Sequence, residues 1–182
     1  MRIIAGEFRS RIILAPAGQV TRPTLDKVRE AIFSILYQKV EGANFLDLYA
    51  GSGANGLEAL SRGAKKAVFI DNAKAAQVTI LKNIQQLQLE NRCLLLKTTV
   101  QNGLSQLSDS FDLVYMDPPY QQQENECILQ RLQDQHLLSS SAIVMIEADK
   151  KDVYPEVVGE LSLFKRKEYG ISQILFYRKE NV

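Results

Sequence analysis

The chain has 182 residues, 46% of them apolar and 24% charged, with a formal net charge of +1. That is enough for one domain with a sizeable core, and the balance is that of a globular protein rather than a disordered or fibrous one. No apolar run approaches the roughly 20 residues that span a bilayer. The opening residues Met1-Arg2-Ile3-Ile4-Ala5-Gly6-Glu7-Phe8-Arg9 hold no signal-peptide core, so a cytoplasmic protein without a membrane partner is expected. Cys93 and Cys127 stand far apart and in no metal-ligand spacing, and read as reduced core or half-buried residues. His136 is the single histidine, so no histidine-based metal cluster is expected.

The small net charge hides an asymmetry. Residues 1–29 carry Arg2, Arg9, Arg11, Arg22, Lys27 and Arg29 against Glu7 and Asp26, a balance of +4 that leaves −3 for the rest. A basic segment on a mildly acidic domain suits a grip on phosphates at one end. It also suits a solvated surface, and charge alone does not choose between the two.

In chain order, short β-branched stretches at 3–5 and 12–14 flank Gly6 and charged residues and predict a small hairpin. Thr21-Arg22-Pro23-Thr24 is a turn and helix start. Thr24 is the expected cap of a helix to about Gln38, with Val28, Ile32, Ile35 and Leu36 on one face. From there strands and helices alternate. Strands are predicted over 45–49, 67–70, 93–97, 111–116 and 142–147, and helices over 53–62, 73–89, 102–107 and 124–137. Such alternation implies right-handed crossovers and a parallel sheet covered on both faces. Segments 164–169 and 173–178 flank Gly170 and predict a closing antiparallel hairpin, for seven strands in all.

Two loops carry the chemistry. Asp47-Leu48-Tyr49-Ala50-Gly51-Ser52-Gly53-Ala54-Asn55-Gly56 follows the first strand. Its Gly51, Gly53 and Gly56 match G-x-G-x-x-G, and Asp71 follows 20 residues after Gly51 at the end of the second strand. This pattern points to a nucleoside-containing cofactor, with Asp71 and Asn72 as the ribose pair; Asn72 would serve equally as a helix cap. Asp47 would face a pyrophosphate unfavourably, whereas a sulfonium or ammonium would sit well beside it. That favours S-adenosylmethionine over a dinucleotide, although Asp47 would also serve as a carboxylate capping the loop's backbone.

The second loop is Asp117-Pro118-Pro119-Tyr120, directly after the fourth strand. Two prolines fix φ and remove backbone donors, so the chain leaves the strand on a stiff path. A carboxylate, the Pro118 carbonyl and an aromatic ring would then surround one point, which suits a planar ligand bearing an amino group. In the common strand order 3-2-1-4-5, strands one and four are neighbours, and ligands bind at their carboxyl ends. A methyl donor would face an amine clamp there, which defines methyl transfer to an exocyclic nitrogen.

These residues carry a family resemblance. Asp117-Pro118-Pro119-Tyr120 is similar to the (D/N)-P-P-(Y/F) signature of class I amino-methyltransferases that act on nucleic-acid bases. With Arg2-Ile3-Ile4-Ala5-Gly6, Arg22-Pro23-Thr24, Val28-Arg29-Glu30-Ala31-Ile32-Phe33 and the run from Asp47 through Gly63, nearly the whole chain resembles the RsmD-type family. That family methylates N2 of a guanine in bacterial 16S ribosomal RNA.

The resemblance implies a Rossmann-like class I methyltransferase domain over 41–182 and a basic extension over 1–40. It implies Asp117 and Pro118 on the guanine amino group and Tyr120 stacked on the flipped-out base. Gly51, Ser52, Gly53, Gly56, Asp71 and Asn72 would hold S-adenosylmethionine, with Asp47 near its methionine end. Arg9, Arg11, Arg22 and Arg29 would meet phosphates of 16S rRNA or of the assembled 30S subunit, and the enzyme would act as a monomer. Two positions depart from the family's pattern. Asp71 stands where Glu is frequent, and Thr99 stands where Asp or Asn contacts the adenine, so Thr99 or its amide is the expected substitute. The rival reading is a DNA adenine-N6 or cytosine-N4 methyltransferase, which shares the clamp but needs a recognition domain that 182 residues scarcely accommodate.

Overall fold

The computed structural model describes residues 1–16, 23–118 and 122–180, except for the side chains of 23–25 and 122–123. Among these residues the chain order is α1 (Pro23–Ile35), β1 (Asn44–Leu48), α2 (Ala54–Ser61), β2 (Lys66–Ile70), α3 (Lys74–Leu87) and β3 (Cys93–Leu96). There follow α4 (Val100–Leu104), β4 (Phe111–Met116), α5 (Gln122–Asp134), β5 (Leu138–Asp149), β6 (Val157–Val158), β7 (Leu161–Tyr169) and β8 (Ser172–Lys179). One sheet runs β3-β2-β1-β4-β5-β8-β7-β6. Strands β1 to β5 pair in parallel, and β8, β7 and β6 close the sheet antiparallel. The parallel order is the expected one. The sheet has eight strands where seven were expected, because the two-residue β6 pairs with β7 at Val157↔Ser162 and Val158↔Leu161.

The strands' period of two sorts their side chains between two cores. Phe45, Phe69, Leu113, Tyr115, Met145 and Phe176 face one side, against Val28, Ile32 and Phe33 of α1, Leu57 and Leu60 of α2, and Ile80 and Ile84 of α3. Leu46, Leu48, Val68, Ile70, Val114, Met116 and Ile146 face the other, against Val100 and Leu104 of α4 and Ile128, Leu129 and Leu132 of α5. Ile3 and Ile13 belong to the first core, so the N-terminal segment packs on the same face as α1 to α3.

The expected N-terminal hairpin is reduced to one antiparallel bridge, Arg2↔Ile12, flanked by Ile3 N–H to Arg11 O at 2.9 Å and Ile13 N–H to Met1 O at 3.0 Å. Arg9, Ser10 and Arg11 donate within the segment, to the Gly6, Ile3 and Phe8 carbonyls, and five further backbone donors go to helices. Ile4 and Ala5 donate to the Glu58 carboxylate, Phe8 to Ser61 Oγ, Glu7 to the Ser61 carbonyl and Leu14 to Asn83 Oδ1. With Ile4, Ala5, Glu7, Phe8 and Leu14 bonded to α2 and α3, the segment has no need of a longer cross-strand ladder. Cys127, expected in the core or half-buried, is instead exposed.

Candidate active site

The carboxyl ends of β1, β2, β4 and β5 open on a cavity of about 610 Å³. Asp47, Tyr49, Ala50, Gly51 and Ser52 from the first loop line it, with Asp71 and Asn72 at the end of β2. Asp117 and Pro118 after β4 and Glu147 on β5 form another wall, and Met1, Pro16, Val28, Arg29 and Ile32 close it from the N-terminal side.

The loop folds as its glycines require. Gly53 has φ +76° and stands directly before α2, a left-handed turn where a Cβ would come within 3.2 Å of the Phe69 ring. At Gly56 a Cβ would lie 2.4 Å from Phe69 Cε1, so only a bare backbone lets α2 pack against β2. Gly53 and Gly56 shape the loop without lining the cavity. Two carboxylates then tie it down. Asp47 Oδ2 accepts the Gly56 N–H at 2.9 Å. Asp71 accepts Gly51 N–H on Oδ2 and Ala73 N–H on Oδ1, both at 2.8 Å. Asp47 therefore caps the loop's backbone, one of the two roles expected of it, and also lines the cavity.

The site is short of cations. Asp47 is 1% exposed, and burial pushes its carboxyl up to about 8, against the Gly56 N–H that lowers it, with the Asp117 and Asp71 charges adding to the rise. Desolvation within the cavity, and then the charge of Glu147, raise the Asp117 carboxyl above the ordinary range. Asp117 is nevertheless exposed at the cavity mouth, so water tempers its shift while Asp47 feels its own in full. Acids held in this way are poised for a cationic ligand.

Not every expected residue converges here. Arg29 is a correction. It is 4% exposed, donates from Nη2 to the Arg2 carbonyl and to Asp26 Oδ1, both at 2.7 Å, and lies 3.7 Å from Glu58. A guanidinium consumed inside the fold cannot grip an external phosphate. Arg9 and Arg11 are exposed and enter no ion pair among the described residues. Thr99 is exposed and caps α4, accepting the Asn102 N–H at 3.3 Å, and is not among the cavity's lining residues. Arg22 and Tyr120, and Thr24 as a helix cap, lie outside what the structure describes.

A profile of the family described as "Conserved hypothetical protein 95" matches residues 1–178. The chain belongs to that family. Ribosomal RNA small subunit methyltransferase D of Escherichia coli (strain K12) is 33% identical over 180 residues, 99% of this chain and 90% of its own. The solved yhhF protein of Escherichia coli matches at a TM-score of 0.89 and 33% identity, over 99% of this chain and 98% of its own. Magnesium protoporphyrin IX methyltransferase (ChlM) of Synechocystis PCC 6803, solved with bound SAM, shares the fold at a TM-score of 0.68 and 15% identity, over 90% of this chain and 86% of its own. The fold is that of the class I methyltransferases, and this family member is a methyltransferase.

Sequence reasoning missed Glu147, Tyr115 and Met1, which line the cavity, and Asn83, which braces its glycine loop. Glu147 and Tyr115 close apolar strands, and a polar end on a buried strand beside Asp117 was a usable signal. Met1 and Asn83 left none. Asn83 is a fully buried helix residue whose Nδ2 donates to the carbonyls of Ser52 and Leu14, joining the glycine loop to the N-terminal segment.

Proposed function

We propose that the chain transfers a methyl group from S-adenosylmethionine to N2 of a guanine in the 16S RNA of the small ribosomal subunit, naked or assembled. One observation carries the reading: the glycine loop and the Asp117-Pro118 turn line the same cavity. The relative named for small-subunit ribosomal RNA, at 33% identity over almost the full chain, supports the substrate class. The exposed Arg9 and Arg11 are the proposed phosphate contacts, on a protein acting as a monomer in the cytoplasm.

The cavity fits the cofactor. Its volume of about 610 Å³ suits a drug-sized ligand. Asp47 and Asp71 flank the glycine loop, and Arg29 is the single basic side chain lining the cavity among the described residues, which favours a ligand carrying sulfonium and ammonium charges over one carrying a pyrophosphate. Asp71 and Asn72 are the proposed ribose contacts, and Asp47 with the Gly51-Ser52 backbone the contacts of the amino-acid end. When bound, the cofactor supplies an electrophilic methyl group on sulfur.

The chain's own groups do the rest. The Asp117 carboxylate and the Pro118 carbonyl accept the two N–H bonds of the amino group and turn its nitrogen lone pair out of conjugation with the ring. Tyr120 is the proposed stacking partner for the extruded base, which recovers part of the few kcal/mol that unstacking costs. As the nitrogen gains its bond to the methyl carbon, that carbon's bond to sulfur would break and leave a neutral thioether, and Asp117 Oδ takes the proton the nitrogen sheds, a transfer suited to an acid with a raised pKa. Holding both reactants aligned supplies much of the acceleration, on the order of 7–11 kcal/mol in favourable cases.

The test uses labelled S-adenosylmethionine with naked 16S RNA, assembled 30S subunits and duplex DNA, followed by nucleoside analysis of the product. Label in N2-methylguanosine is expected from RNA or particle and none from DNA. Asp117→Ala is expected to lower the rate by about 10²-fold or more, with cofactor affinity unchanged by calorimetry. Wild-type turnover in that variant would remove the clamp.

A further inference from the structure

The substrate wall of the cavity holds a second acid that the clamp does not use. Register places Asp47 beside Tyr115 and Tyr115 beside Met145 across β1, β4 and β5. Two residues further along the same face stand Asp117 and Glu147, and both line the cavity. Tyr115, 4% exposed, donates its hydroxyl to Glu147 Oε2 at 2.5 Å and holds that carboxylate in one orientation. No described residue donates to Glu147 Oε1. The groups sense one another: after desolvation, the Glu147 charge is the next cause that raises Asp117, and likewise the Tyr115 hydroxyl.

We propose that Glu147 is a specificity-determining residue that accepts the N1–H of the target base and so selects guanine, with Tyr115 as the positioning residue that orients it. The inference rests on the proposed function above. Guanine presents two adjacent donors on its Watson–Crick edge, the N2 amino group and N1–H. Adenine and cytosine present an amino group beside a bare ring nitrogen, whose lone pair would point at the Glu147 oxygen. A single carboxylate cannot separate these cases, because all three bases offer it an amine. Two neighbouring acids form an acceptor–acceptor edge that guanine alone complements. A site built to bond an N–H discriminates strongly against an analogue that lacks it, because the buried acceptor is then left unpaired or repelled.

The test replaces the modified guanine by 2-aminopurine, through ligation of a synthetic segment into the 16S RNA. This base keeps the amino group and lacks N1–H. The wild-type enzyme is expected to methylate it about 10²-fold more slowly in kcat/KM than guanine. In Glu147→Gln the carboxamide can donate to the bare nitrogen, so the guanine rate falls, the 2-aminopurine rate rises, and their ratio collapses by at least about 10-fold. S-adenosylmethionine affinity, read by calorimetry, is expected to stay within about two-fold. Tyr115→Phe, which deletes the orienting hydroxyl alone, is expected to shift the same ratio in the same direction by a smaller factor. An unchanged ratio in both variants, whatever the loss of rate, overturns the role of Glu147 and leaves the proposed function standing. Absence of N2-methylguanosine with the wild-type enzyme on native RNA removes both.

Discussion

Replacing Glu58 by Ala should cost about 3–5 kcal/mol of stability and loosen the N-terminal segment. The Glu58 side chain is fully buried on α2, on the side that meets the N-terminal segment. It accepts Ile4 N–H at 2.8 Å, Ala5 N–H at 3.1 Å and Arg62 Nε at 2.7 Å, and stands 3.7 Å from Arg29 Nε. Alanine strips the buried Arg29 of one of its two carboxylates and leaves Asp26 and the Arg2 carbonyl. Breaking a buried ion pair from one side costs about 3–5 kcal/mol, because the remaining charge stays desolvated. The Ile4 and Ala5 amides are half-buried, so water replaces part of their loss and adds little. For a domain of this size each kcal/mol moves Tm by about 2–4 °C, so a fall of roughly 10 °C is expected. Urea titration with an unchanged m-value measures the loss, and amide exchange at Ile4 and Ala5 reads the release directly. Arg29→Met combined with Glu58→Ala should recover part of the deficit, since the buried guanidinium is then gone and the charges left behind, Asp26 and Arg62, are partly exposed to water. A loss below about 1 kcal/mol with Ile4 and Ala5 still protected would refute the reasoning.

Asp47 predicts a pH dependence with a definite sign. Burial holds its carboxyl at about 8 in the folded chain against 3.8 as the ordinary value, so between those limits the native state binds a proton that the unfolded state does not. Stability contributed by this group therefore falls as pH rises through that window. Asp47→Asn keeps an oxygen for the Gly56 N–H and cannot titrate, so its melting temperature should drop less than wild type between about pH 5 and 8; parallel curves would contradict the assignment. For the RNA grip, Arg9→Ala with Arg11→Ala should weaken RNA binding and reduce the slope of log affinity against log salt by up to about 2. An unchanged slope returns both arginines to a solvated surface.

Much of the site was legible in the sequence because its signals are local. G-x-G-x-x-G, Asp71 at a fixed interval and the Asp117-Pro118 turn are set by what a few consecutive residues can do at a strand end, and Gly51, Asp71, Asp117 and Pro118 border one cavity. Alternation implied the parallel sheet, and its strand order is the common one assumed for such sheets. What failed locally failed for a physical reason. β6 is two residues long and exists through its ladder with β7, so no periodicity announces it. Val100 begins α4 earlier than expected because the Thr99 side chain caps it, which also commits the residue expected on the adenine.

The sequence by itself determined the alternating strands and helices, the glycine loop and the acid at each strand end, because backbone sterics and side-chain periodicity are properties of neighbours. Tertiary structure decided which charges are spent and which are offered. Arg29 and Arg9 look alike in a basic segment, yet Arg29 turns inward to Asp26 and Glu58 while Arg9 stays in solvent. Glu147 reads as the last residue of an apolar strand until β4 and β5 lie side by side and bring it to the cavity that Asp117 lines. Whether a charge is buried, paired or free to meet a ligand depends on groups distant in the chain, and only the fold brings them together.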